Sequence, residues 1–269
     1  MDTELNFLGL YVAAWQASYQ FYTEILGMHA DEDPSLGVWA SLGGGWDAYR
    51  TGCRSMICEL FDGGRPVRRG RAWGRGQGIR PAIHVDDLDA VVSAARARGV
   101  PFTGAVEETA WGRRIEFTAP EGLRWTLCQT PGRPSSPDLF KPYIGHVEIK
   151  ACDVAGQTAF YRDVIGMNLE SETLAQVIVG QGVGQPWLTV ESGGEKQMND
   201  PAGGPDAIRG QPVFISFMAS DIQAVAARLT EAQATLLKDI EHHDAWGGTD
   251  IIIADVDGNA LQVVQYRHL

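Results

Sequence analysis

Cysteine is scarce in this chain of 269 residues: Cys53, Cys58, Cys128 and Cys152 are scattered, with no C-x-x-C pair among them. That spacing excludes a disulfide framework or a zinc knuckle and fits reduced thiols. Positive charge is short as well, 22 Lys and Arg against 34 Asp and Glu, for a net charge of −12. Such a surface repels phosphate, so neither nucleic acid nor a membrane surface is expected as a partner. No apolar run approaches the roughly 20 residues of a membrane span. The opening Met1-Asp2-Thr3-Glu4 lacks the basic stretch of a secretory signal, so a cytoplasmic protein is expected. There is no nucleophile elbow, and Gly74-Arg75-Gly76-Gln77-Gly78 lacks the strand–turn–helix setting of a nucleotide loop. What the chain does have is a hydrophobic fraction of 44%, enough for a packed core.

It also says the same thing twice. Phe21-Tyr22-Thr23-Glu24-Ile25-Leu26-Gly27-Met28 recurs as Phe160-Tyr161-Arg162-Asp163-Val164-Ile165-Gly166-Met167. Asp87 pairs with Asp221, Ala110-Trp111-Gly112 with Ala245-Trp246-Gly247, and Gly122 with Gly258. The offsets are 160−21=139, 221−87=134, 246−111=135 and 258−122=136, a nearly constant shift that means duplication. The expected division is a first domain over 1–130, a Pro- and Ser-rich linker over 131–142, and a second domain over 143–269.

Each half reads as two units of strand, helix and further strands. Trp15, Tyr19, Tyr22 and Leu26 form one helical stripe closed by Gly27, and Asp87, Asp153 and Asp221 sit where N-caps belong. Strands are expected over 6–13, 38–42, 54–61, 79–85, 113–118 and 123–129 in half one. Half two should have strands over 145–151, 176–179, 186–191, 214–218, 249–254 and 260–266. Two glycine-rich stretches, 63–78 with five arginines and 193–210, read as loops. The arginines either clamp an anionic ligand or meet an acidic surface. His242-His243 reads as loop, Trp111 and Trp246 as packing residues, and Cys58 and Cys128 as buried and inert.

The Asp cap, the F-Y-x-x-x-[IVL]-G-M run and the closing Asp255-x-Asp257-Gly258-Asn259 hairpin resemble the vicinal-oxygen-chelate superfamily. It includes glyoxalase I, extradiol dioxygenases, fosfomycin-resistance transferases and bleomycin-binding proteins. The resemblance implies an α+β fold of two tandem glyoxalase-like domains, each of two βαβββ modules forming a curved-sheet cup. It also implies where a metal would sit: first-strand and late-strand positions supplying N/O donors, with coordination sites left open for substrate oxygens. Those positions fall on His146, Phe214 and Gln262 in half two, and on Phe7, Arg80 and Thr126 in half one. A further position falls near Glu59 and Thr189. A cup within half two has only His146 and, weakly, Gln262. Joining modules one and four gives Phe7, Glu59, Phe214 and Gln262, and joining two and three gives Arg80, Thr126, His146 and Thr189. No combination supplies the family's usual set, so no tightly held metal is expected, although Fe, Mn, Zn or Ni stays open.

Strand alternation puts His146, Glu148 and Lys150 on one face. Glu191, Trp187, Phe214, Ser216, Met218, Gln262 and Tyr266 are expected to face the same half-two cup. In one reading His146, Glu148 and Glu191 move protons and Lys150 anchors an oxygenated or aromatic substrate, with lyase, isomerase or ring-cleavage chemistry implied by resemblance. In the other, Glu148 and Lys150 are a structural ion pair and His146 a relic of a metal-binding ancestor. Because only half two carries His146-x-Glu148-x-Lys150, an enzyme is the expected function, with non-catalytic sequestration of a small compound, as in bleomycin-resistance proteins, as the alternative. His84 reads as a satisfied core or rim histidine. The expected partner is a small molecule, and the chain is a monomer that is internally a pseudo-dimer, or a homodimer.

Overall fold

The computed structural model describes residues 3–12, 15–28, 30–31, 40–42, 57–62, 78–109, 112–130, 142–172, 176–180, 187–194 and 213–267. The arginine-rich loop, the expected 131–142 linker (but for Pro142) and Trp111 lie outside them. Module one contains β1 (Thr3–Val12), α1 (Trp15–Gln20, running on as a π-helical turn Phe21–Ile25), β2 (Ala30–Asp31), β3 (Ala40–Leu42) and β4 (Ile57–Asp62). Module two contains β5 (Ile79–His84), α2 (Leu88–Ala97), β6 (Phe102–Thr109), β7 (Gly112–Thr118) and β8 (Arg124–Gln129). Module three contains β9 (Tyr143–Ala151), α3 (Val154–Ala159, with a π turn Phe160–Ile165), β10 (Asn168–Glu172), β11 (Gln176–Gly180) and β12 (Trp187–Ser192). Module four contains β13 (Val213–Ala219), α4 (Ile222–Glu231), β14 (Thr235–His243), β15 (Gly248–Ala254) and β16 (Ala260–Tyr266).

The helices start where the aspartates said they would. Asp87 accepts from the Ala90 amide at 2.9 Å, Asp153 from Gly156 at 3.0 Å, and Asp221 from Gln223 at 2.9 Å. Each thereby satisfies a donor that the first helical turn leaves open. The repeated Phe-Tyr step falls where both first helices widen into a π turn. There Phe21 with Tyr22, and Phe160 with Tyr161, are consecutive residues and all buried.

The modules pair across the halves, not within them. One eight-stranded sheet runs β14-β15-β16-β13-β1-β4-β3-β2, joining modules four and one, and is called here the outer sheet. The inner sheet runs β10-β11-β12-β9-β5-β8-β7-β6, joining modules three and two. At their centres β1 lies antiparallel to β13, with Gly9 opposite Phe214, and β5 lies antiparallel to β9, with Ala82 opposite His146. The expected half-two cup is therefore corrected: its strands belong to two different sheets. Each sheet turns alternate residues, such as Leu8, Ile215, Val147 and Leu188, into one helix-covered core.

What holds each sequence half together is a pair of locks between helix and hairpin. In half two the buried Asp255 carboxylate accepts from Tyr161 Oη at 3.1 Å, from the Asn259 side chain at 2.8 Å, and from Gln157. Half one repeats the device with Tyr22 on Glu121 and Ser18 on the same carboxylate at 3.3 Å. Burial raises the Glu121 carboxyl above its ordinary value and pushes Asp255 up to about 6.

Four described strands were missed, β2, β6, β10 and β14, and each of them ends its sheet. Burial in the last three is irregular rather than alternating, as in β6, which is exposed at five of eight positions. His242 and His243 are accordingly not in a loop; they close β14.

Candidate functional site

Crosswise pairing divides the expected site residues between two cup faces. Phe214, Ser216, Met218, Gln262 and Tyr266 fall on the outer sheet, while His146, Glu148, Lys150, Trp187 and Glu191 fall on the inner sheet. No one cup holds both sets, and His146 and Gln262 share no possible metal.

The outer cup is aromatic. Phe7 meets Phe214 edge-on with ring centroids 5.8 Å apart, and Tyr11 lies tilted against Phe214 at the same distance. Leu237, Ile252 and Ala254 extend this cluster, which is separate from the main core. Gly9 makes room for it: a Cβ there would lie 2.0 Å from the Phe214 ring. Met218, Gln262 and Tyr266 are only half-buried around the cluster. Polar groups rim it. Gln262 donates to Asp250 at 2.8 Å, which also takes Lys238 at 3.2 Å and faces His243 at 3.0 Å. Asn6 reaches Tyr266 Oη at 3.3 Å. Trp246, expected to be a packing residue, is 36% exposed and stacks on His243 with centroids 4.9 Å apart.

The inner cup is ionic. Parallel pairing of β9 with β12 sets Trp187 beside His146, Thr189 beside Glu148 and Glu191 beside Lys150. Arg114 from β7 donates to Glu148 at 3.1 Å and to Glu191 at 3.2 Å, and Lys150 closes on Glu191. Arg80 pairs with Glu116. Burial favours the neutral form of Glu148, but His146, Arg114 and Lys150 outweigh it and hold this carboxyl at about 2. His146 stacks on Trp187, with centroids 4.6 Å apart and planes at 12°. His84 is buried and engaged at both nitrogens, with Thr130 Oγ1 at 3.1 Å and His146 Nδ1 at 2.8 Å. Cys128 is buried too, and burial pushes its thiol well up.

Arg114 was not singled out from the sequence. Its signal was there, in the alternation of β7, but only for modules two and three placed in one sheet.

The match to known proteins agrees with this architecture. The pattern of the glyoxalase/bleomycin resistance protein/dioxygenase superfamily covers residues 4–127 and 143–263. The chain belongs to that superfamily. Glyoxalase I from Zea mays superposes with a TM-score of 0.71 at 16% identity, over 98% of this chain and 92% of that one. A putative dioxygenase from Bacillus subtilis gives 0.62 at 12% identity, over 99% of this chain and 86% of the other. Identities so low speak for the fold alone. No curated protein matches the sequence.

Most of the side chains at the superfamily's metal positions are poor metal ligands. In the outer cup two of them are the phenyl rings of Phe7 and Phe214, which have no lone pair to give and fill the space by packing together. In the inner cup Arg80 is a cation paired with Glu116, and Thr126 and Thr189 offer only neutral hydroxyls beside His146. The Glu59 side chain lies outside the described residues, so the outer set has at most two donors, Glu59 and Gln262, and the inner set one good ligand, His146, short of the family's usual set for a divalent cation. No helix of the described residues is long and apolar enough to cross a membrane.

Proposed function

We propose that this superfamily member is a small-molecule binding protein that holds an apolar or aromatic compound against the outer cup, the sequestration role among those its superfamily takes. The observation that carries this is the Phe7–Phe214–Tyr11 cluster, in which Phe7 and Phe214 stand at the positions where catalytic relatives need donors. An apolar wall with half-buried Met218 and Tyr266, and with Gln262 and Asp250 for orientation, is the usual composition of a ligand pocket. Aromatic rings add edge and face contacts worth about 1 kcal/mol beyond their area. Within this reading Phe214, Met218, Gln262 and Tyr266 touch ligand, and Ser216 supports the wall beside Asn6. Each sheet is completed within the one chain, which supports a monomer, with the break between domains over 131–142.

A catalytic reading keeps one observation in its favour, the contact chain from His84 through His146 towards Glu148, at 2.8 and 3.8 Å. In that reading His146, Glu148 and Glu191 move protons while Lys150 and Trp187 hold substrate. Against it, a carboxyl held at about 2 is a poor proton acceptor near neutrality, since efficient bases titrate close to the working pH. Both carboxylates are also already clasped by Arg114.

The test is a panel of aromatic and heteroaromatic compounds screened by thermal shift, with hits followed by tryptophan fluorescence and by chemical analysis after long incubation. Binding that falls at least tenfold in Phe214→Leu and Met218→Ala, with compound recovered unchanged, supports the proposal. Binding indifferent to both changes but abolished by Lys150→Met moves the site to the inner cup, and turnover lost in His146→Ala establishes the enzyme.

A further inference from the structure

Three potential metal donors converge in the inner cup at a place the superfamily does not use. The ring nitrogens of His84 and His146 and the Cys128 sulfur lie within 4.8 Å of one another, and all three residues are buried. They come from three strands: β5, β8 and β9. Of the three, only His146 stands at a family position. We propose that His84 Nε2, Cys128 Sγ and His146 Nδ1 form a site for one borderline-soft divalent cation of the zinc class. Two imidazoles and a thiolate suit such an ion and disfavour Mg(II) or Ca(II), which prefer hard oxygen donors.

The two rings are oriented by groups on their far sides, as the ligands of a built site are. Thr130 Oγ1 lies 3.1 Å from His84 Nδ1, which turns His84 Nε2 inward. Glu148 lies 3.8 Å from His146 Nε2, which turns His146 Nδ1 inward. Trp187 fixes both planes, stacked on His146 and edge-on to His84 with centroids 5.2 Å apart. Gly145 seats the His84 ring: a Cβ there would come within 2.6 Å of it. The register shift of β5 against β9 between Ala82 and Ile83 supplies the local irregularity that brings the two rings together.

At 2.8 Å the two facing nitrogens share a proton, because two lone pairs at that distance repel. A cation would take that proton's place. With metal–nitrogen bonds of about 2.1 Å and metal–sulfur bonds of about 2.3 Å, tetrahedral ligands stand roughly 3.3–3.6 Å apart. The rings therefore separate by about half an ångström while the thiol closes inward. Cys128 donates a weak hydrogen bond to the Ile83 carbonyl at 3.5 Å, which the thiolate gives up. Binding releases the thiol proton to solvent, while the shared proton passes to the outer nitrogen of its own ring, His146 Nε2 facing Glu148 or His84 Nδ1 facing Thr130. Both rings thus bind neutral, and a fourth coordination position is left for water.

The test is titration of the metal-stripped full-length protein with Co(II), followed by competition with Zn(II). The expected result is one equivalent bound, with a near-ultraviolet sulfur-to-cobalt band and the visible bands of four-coordinate cobalt, both bleached by Zn(II). Cys128→Ser should remove the sulfur band and weaken binding at least tenfold, and His84→Gln should weaken it similarly. The reciprocal protein, with Cys53, Cys58 and Cys152 changed to Ser and Cys128 as its sole thiol, should keep the band. That variant decides the matter even where Cys128→Ser fails to fold. Absence of binding overturns the proposal, as does cobalt bound without a sulfur band, which would point to Glu241, His243 and Asp250. A band that survives Cys128→Ser, or that the sole-thiol protein lacks, overturns it as well. The site stands apart from the aromatic cup, so its failure leaves the Phe214 and Met218 tests untouched.

Discussion

Asp255 gives the chain a stability that rises on mild acidification, against the trend set by its paired carboxylates. The group is buried beneath the last hairpin and accepts from the amides of Asp257 at 3.0 Å and Asn259 at 2.8 Å, as well as from Tyr161. Burial nevertheless outweighs these donors and lifts its pKa from 3.8 to about 6. A carboxyl whose folded value is raised favours folding when protonated. Its contribution is complete below the unfolded value near 4 and is lost as pH climbs through 6. Taking those two values, acidification from pH 7 to pH 5 should add about 1.3 kcal/mol from this group alone. Asp255→Asn cannot titrate, keeps one carbonyl oxygen for the two amides, and should lack that increment. The assay is urea unfolding of both proteins at half-unit steps from pH 5 to pH 7.5, with the difference in stability plotted so that the histidines, common to both, cancel. A wild-type minus variant difference that is flat over this window, or that grows with pH, refutes the reasoning.

Gly9→Ala drives a methyl into the Phe214 ring and should cost about 1–3 kcal/mol, and Phe214→Leu in the same chain should recover part of that loss in a double-mutant cycle. Arg114→Met strands the Glu148 and Glu191 carboxylates in the inner cup and should destabilise by on the order of 3 kcal/mol at pH 7. Because the folded Glu148 value is depressed, that penalty should be complete above pH 4.5 and fade as pH falls towards 2, and adding Glu148→Gln should offset it, all by denaturant melts. Tyr161→Phe removes one donor to Asp255, at about 2 kcal/mol, and should move the Asp255 midpoint further up; unchanged titration would contradict the lock.

The local structure of this chain was legible because it depends on neighbours in sequence. Asp87, Asp153 and Asp221 cap helices by bonds to amides two or three residues on, and the 260–266 strand is announced by the Asp257-Gly258-Asn259 turn just before it. The partnership of modules was not legible. β9 has the same pattern of His146, Glu148 and Lys150 whether it lies against β13 or β5, so nothing in the strand itself chooses. That choice decided the site. Joining β9 to β5 brings His84 and Cys128 beside His146 and Arg114 beside Glu148, where Phe214 and Gln262 were expected. The missed strands failed for a related reason: β14 carries Lys238, Asp239, Glu241 and two histidines, a composition that reads as surface until β15 is known to lie beside it.

The two levels of pairing explain why a duplicated sequence can carry two unlike cups. Helix–hairpin locks, Tyr22 to Glu121 and Tyr161 to Asp255, tie module one to two and module three to four. Both locks lie on the helix side, where packing is demanding and the copies stay alike. The sheets join one to four and two to three, so each cup is made from one module of each half and is never a copy of the other. Substitution at Phe7 and Phe214 then converts the outer cup to an aromatic surface without touching the inner one. Arg114, Glu148 and Glu191 can likewise settle into an internal ion network with no consequence for ligand contacts on the other sheet. The asymmetry between the halves at His146-x-Glu148-x-Lys150 is therefore a difference between cups, set by which strands meet at the sheet centres.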